Sequence, residues 1–201
     1  MDNHIRLAHM QNIRKDLIRL CHPQIDHCIT ALKLEMDDEI SEEIRERIAV
    51  MMFNEMVNDM PMVSYVTVWE DGAAEIAHAY MSPSIESISG YTPQELVEIG
   101  YKNIVRGDIL QFNRDIAGVE ENVNPVSEAR KKRVGGFLEN RSWEGCYQIM
   151  RKGGRMVWVV DRSLITRFRN TVNGNIVCLA CGILLESTEL FERHAQNSRG
   201  R

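Results

Sequence analysis

No apolar run in this 201-residue chain approaches the roughly 20 residues that a transmembrane helix needs. The N-terminus lacks the charged-then-apolar pattern of a secretory signal. Five cysteines, an odd number spread along the chain, do not make a disulfide framework. These absences predict a cytoplasmic protein with no membrane partner. Basic charge is also in deficit. Lys+Arg is 24 against 29 Asp+Glu, for a net charge of −5, which weighs against nucleic acid as a partner. There is no phosphate-cradling glycine motif, and no Ser/His/Asp, paired-carboxylate or metal constellation is legible from spacing. An enzyme is therefore not expected. What is present is ordinary for a globular protein, with 44% hydrophobic and 26% charged residues. The length suits one domain with an extension or two small domains.

Residues 1–60 read as helical. Met10, Ile13, Leu17 and Leu20 form one apolar stripe, and Ile25, Ile29, Leu32 and Met36 a second. Asp37, Asp38 and Glu39 place negative charge at the start of a third helix, where the backbone dipole favours it. Ile40, Ile44, Ile48, Met51, Met52 and Met56 line that helix, with Glu43 and Arg47 as an i,i+4 pair opposite and Pro61 as its end. The period then changes. Residues 63–69 and 75–81 read as strands around an Asp71-Gly72 turn, and 84–99 as short helices. Residues 101–108 read as a loop and 109–141 as a polar, partly helical stretch. Three strands follow over 143–151, 156–169 and 175–185, with turns at Gly153-Gly154 and Asn173-Gly174. The order β-β-α-α-α-β-β-β predicts an α+β domain, a five-stranded antiparallel sheet with helices on one face. The last strand, Ile176–Leu185, is apolar on both faces, so both should be covered, the outer one by the third helix or by a second subunit.

Tyr80, Ser82, Pro83, Gly90, Tyr91, Glu95 and Leu96 stand at the spacing Y-x-S-P-x-x-x-x-x-x-G-Y-x-x-x-E-L. That run resembles the core of the PAS sensory domain. Tyr147, Arg151, Lys152, Gly154, Trp158 and Val159 are similar to the family's penultimate hairpin, and Leu185–Glu189 to the element that ends the domain. The resemblance covers about residues 61–188. It divides the chain into a helical segment, 1–60, a PAS-like domain, 61–188, and a tail, 189–201. The chain departs from the pattern at Arg106-Gly107-Asp108 and in a longer segment between Asp108 and Trp143, which includes Pro125 and the basic run 130–133.

The resemblance implies a sensor or regulatory module that binds a small ligand and transmits the change through flanking helices or a dimer interface. The rival is a ligand-free dimerisation or adaptor module, which would have a filled core. Expected partners are a second copy of the chain and a separate signalling output protein. No histidine lies between Tyr80 and Glu192 and no cysteine between Met81 and Gly145, which disfavours the family's haem and cysteinyl-flavin modes. A non-covalent flavin or a small metabolite remains. Pocket candidates are Tyr80, Ile88, Tyr91 and Leu96 from the helical side and Cys146, Trp158 and Leu179 or Ala180 from the sheet. Sequence leaves the inward-facing register open.

The remaining reactive residues have plain readings. Cys178 and Cys181 are three apart on a strand and so point to opposite faces, which favours packing over a redox pair. His78 reads as a surface or packed residue. Cys21, His22, His27 and Cys28 match no zinc spacing and read as helix-end and core residues. Arg130–Arg133 read as a solvated run. Residues 1–60 carry seven Lys/Arg against twelve Asp/Glu, which argues against a DNA-binding helix-turn-helix there.

Overall fold

The computed structural model describes residues 25–26, 28–30, 32, 34–57, 62–73, 76–115, 118–125, 127–128 and 142–189. The expectations for residues 1–24, for His27 and for the 130–133 run lie outside them. Helix α1 spans Asp38–Val57. Strands β1 (Met62–Glu70) and β2 (Ala77–Met81) lead into α2 (Ile85–Ser89) and α3 (Pro93–Ile99). A single 3-10 turn follows, and then β3 (Val105–Asp115), β4 (Gly118–Pro125), β5 (Ser142–Met150), β6 (Met156–Arg169) and β7 (Ile176–Glu186). All seven strands form one antiparallel sheet in the order β2-β1-β7-β6-β5-β3-β4. No helix among the described residues is long and apolar enough to cross a membrane.

The five expected strands are present as β2-β1-β7-β6-β5. The correction falls at 105–125, where a hairpin replaces the expected loop and partly helical stretch and widens the sheet to seven strands. β3 pairs with β5 through Leu110↔Cys146 and Gln111↔Gly145, and β4 closes on β3 as the sheet edge. The reason is pairing. β4 reads GVEENVNP, a weak strand former by itself, but the neighbouring β3 supplies its hydrogen bonds. Pro125, which has no N–H to give, sits at its last position.

Two apolar layers flank the sheet. On one face Val63, Tyr65, Trp69, Val157, Val159, Ala180 and Leu184 pack against Ile85, Ile88 and Leu96 of the short helices. On the other, Val66, Val68, Val177 and Leu179 pack against Ile40, Ile44 and Ile48 of α1. Over β1 and β7 the second apolar face is thus covered by α1. Cys178 belongs to the first layer and Cys181 borders the second, as strand alternation requires. Burial pushes both thiols up to about 11, so neither is a ready nucleophile.

The helices are fixed by caps and tethers. Thr92 and Glu95 form a reciprocal capping box at α3 with Pro93 in its first turn, and Gly90 ends α2 in a left-handed conformation at φ 75°. Asp37 caps α1 by accepting from the Ile40 N–H at 3.0 Å. Its other oxygen accepts from the Thr171 N–H at 2.7 Å, which ties the helix start to the β6–β7 turn. Those bonds, the Thr171 N–H first, hold its carboxyl below the usual range. The sign follows: the stabilisation is present above the unfolded-state value near 3.8 and is lost as pH falls through the lower folded value. Asp37→Ala should therefore lower the melting temperature at neutral pH. The gap to the parent should shrink in a pH titration carried below that range, and a gap independent of pH would contradict the assignment.

Candidate functional site

A cavity of ≈ 640 Å³ opens between the sheet and α3 with the 3-10 turn after it, and reaches past β2 to Met52 of α1. Its volume lies within the 300–1,000 Å³ common for small-molecule sites. Apolar walls come from Ile76, Met81, Leu96, Val105, Ile109 and Leu184. The polar floor comes from Tyr65, Tyr147 and Asp161, with Tyr101 and His78 beside them.

Asp161 is the centre of this floor and is only 2% exposed. Tyr65 Oη donates to its Oδ1 at 2.5 Å, and Tyr147 Oη donates to its Oδ2 at 3.0 Å. Tyr101 Oη lies 3.1 Å from Tyr147 Oη. Burial, then the negative charge of Asp161, push the Tyr147 phenol well above its ordinary value, so it stays protonated. The strands place these groups by register. Tyr65 of β1 stands opposite Gly182 of β7, and its ring crosses the bare glycine backbone to reach β6. Gly145 of β5 stands opposite Asp161, and its missing side chain leaves room for the Trp143 ring, which a Cβ there would overlap.

His78 reaches the cavity because of a bulge. The β1–β2 register shifts between Val66 and Thr67, so Tyr80 pairs with Val66 while His78 pairs with Thr67. Without the extra residue His78 would share the face of Tyr80. With it, the imidazole sits 5.5 Å from the Tyr101 ring and 6.5 Å from the Tyr65 ring. Thr67, 2% exposed, also lines the cavity, and its hydroxyl has no protein partner. A buried hydroxyl in that condition costs free energy unless a water or ligand meets it.

Of the eight residues singled out by sequence, Tyr80 and Leu96 line the cavity. Ile88, Tyr91 and Ala180 belong to the apolar layer around it. Cys146, Trp158 and Leu179 fall on the opposite face, since their strand neighbours Tyr147, Val159 and Ala180 face the cavity layer. Burial holds the Cys146 thiol up at about 12. The polar group Tyr65, His78, Tyr101, Tyr147 and Asp161 was missed. One signal was available: Asp161 is an acidic residue within the apolar run 156–161, where an unpaired charge would be costly. Among the described residues, no group of three His, Cys, Asp or Glu side chains is placed to hold a metal ion.

The other end of the cavity touches α1. Tyr80 Oη donates to Glu55 Oε2 at 2.9 Å, and Ser84 Oγ donates to Glu55 Oε1 at 2.6 Å. Met52 of α1 lines the same cavity. α1 is thus latched to β2 and its following turn near one end and to the β6–β7 turn at the other.

No protein-family model matches this chain, and no curated protein matches it. Among solved structures, an RNA-binding light-oxygen-voltage receptor aligns at 15% identity with a TM-score of 0.45, over 74% of this chain and 36% of that one. A sensory box histidine kinase/response regulator from Burkholderia thailandensis E264 aligns at 19% identity with a TM-score of 0.39, over 74% and 95% of the two chains. The motifs at 80–96 and 147–159, and the antiparallel β2-β1-β7-β6-β5 sheet with short helices on one face, identify the chain as an α+β protein of PAS-like fold, widened by a β3–β4 hairpin.

Proposed function

We propose that this protein is a non-catalytic sensory module. It takes a small ligand into the cavity and passes the change through α1 to a signalling output protein or a second copy of the chain. The observation that carries the reading is the cavity itself, of ligand size, with a buried polar floor and an unpartnered Thr67 hydroxyl. A filled core would have favoured the adaptor reading instead. Transmission would be a population shift. Tyr80 lines the cavity and holds Glu55, so a ligand that displaces Tyr80 weakens the latch on α1.

Native mass spectrometry of freshly purified protein tests the binding step. A reproducible mass above that of the polypeptide supports it. A bare polypeptide mass, together with no thermal shift across a small-metabolite panel, would sink it. Glu55→Ala tests transmission. Ligand occupancy should persist, while hydrogen exchange over residues 38–57 becomes indifferent to ligand. Unchanged ligand-dependent protection in that variant would remove the Tyr80–Glu55 contact from the mechanism.

A further inference from the structure

Resting on the ligand-binding reading above, we infer that the Thr67 hydroxyl is the polar anchor of the site, and that the ligand is an uncharged ring compound offering it one hydroxyl or carbonyl. Thr67 shares a strand face with Tyr65 and Trp69, which belong to the cavity-side layer, whereas Val66 and Val68 belong to the layer under α1. It lines the cavity, is 2% exposed, and its Oγ1 has no hydrogen-bond partner in the protein. Its neighbour on β7, Ala180, has no polar side-chain atom to offer. Its neighbour on β2, His78, turns its ring to Tyr101 and Tyr65. A buried hydroxyl in that position carries a desolvation penalty, and a polar atom brought in by a ligand would remove it.

A threonine hydroxyl is neutral and can both donate and accept, so a hydroxyl or a carbonyl satisfies it. It supplies no countercharge, and an ionised group brought to it would lose water without the charge pairing that a buried ion needs. The carboxylate and the ammonium of the cavity wall stand in other settings. Asp161 accepts from Tyr65 and Tyr147, and Lys102 is exposed. Beside Thr67 the His78 ring is tilted 51° to that of Tyr101 and 56° to that of Tyr65, an aromatic wall that suits a flat body. Ile76, Met81 and Leu96 supply apolar wall for the rest of the ligand.

Calorimetric titration of the full chain with phenethyl alcohol and with ethylbenzene, which lacks only the hydroxyl, tests the anchor. The alcohol should bind about tenfold tighter. Thr67→Val replaces the hydroxyl by a methyl. It should weaken the alcohol about tenfold and leave ethylbenzene unchanged, while Thr67→Ser keeps the preference. Without ligand, Thr67→Val should melt at the parent temperature or above it, because an unmet buried hydroxyl has been removed. A structural threonine would give the opposite shift. Two ionised analogues check neutrality: tighter binding of phenylacetate than of the alcohol would point to His78 as a cation, and tighter binding of phenethylamine would point to Asp161. Either result overturns the inference. It also fails if ethylbenzene binds as tightly as the alcohol, if Thr67→Val leaves their ratio unaltered or lowers the ligand-free melting temperature, or if the alcohol shows no binding at about 1 mM. An ionised molecule found bound by native mass spectrometry would overturn it while sparing the sensory reading. No bound mass and no binding of any probe would overturn both.

Discussion

Gly182→Ala should cost the fold about 2–3 kcal/mol and disable the cavity, although alanine is ordinarily the better strand residue. A Cβ at position 182 would overlap Cζ and Oη of Tyr65. That phenol cannot swing aside cheaply. It is 3% exposed, and its hydroxyl is held on Asp161. Either the β1–β7 pairing opens or Tyr65 leaves its carboxylate, and both outcomes remove the polar floor. Chemical denaturation of four proteins checks this: parent, Gly182→Ala, Tyr65→Ala and the double variant. In the Tyr65→Ala background, adding Gly182→Ala should cost less than about 1 kcal/mol, because the clash is gone. An equal penalty in both backgrounds would show that the glycine serves something other than the seat of Tyr65.

Asp161→Ala should lower stability by about 3–5 kcal/mol, the range for removing one partner of a buried charged network. Two phenol donors, Tyr65 and Tyr147, would be left facing the space it vacates. Asp161→Asn should do less harm, since one oxygen survives to accept. The same network sets the response to base. In the fold the Tyr147 phenol is held well above the ordinary phenol value of 10.0, by burial first and the charge of Asp161 second. For a group raised in the fold, the stabilisation is complete below the unfolded value and is lost as pH rises towards the folded one. Stability should therefore be level up to about pH 9 and fall beyond about pH 10 as unfolded Tyr147 ionises. Tyr147→Phe should flatten that fall while lowering stability at neutral pH. An unaltered alkaline profile in Tyr147→Phe would move the origin of the base sensitivity elsewhere.

Much of the scaffold was legible because its signals are local. The Asp37-Asp38-Glu39 start of α1, its Ile40/Ile44/Ile48 stripe and the Glu43–Arg47 pair, 2.6 Å apart, all follow from helical spacing. The Thr92-Pro93-x-Glu95 capping box and the Asn173-Gly174 turn are equally local. The two-faced apolar pattern of β7 announced that a second layer must lie on the sheet, and over β1 and β7 α1 is that layer. The β3–β4 hairpin was misread because its edge strand is rich in Asn and Glu. Its strand character comes from hydrogen bonds to a neighbour, which no window of sequence contains.

By itself, then, the sequence determined the class of fold, the order of most elements, the helix caps and the absence of a long apolar span, because each depends on residues within a few positions of one another. The tertiary structure alone decided the site. With β7 apolar on both faces, a one-residue choice of register sends Ala180 towards the cavity and Leu179 towards α1, and only pairing makes that choice. A bulge at Val66/Thr67 turns His78 inward. A glycine on β7 lets a tyrosine from β1 reach an aspartate on β6, joining residues that are 96 positions apart in the chain.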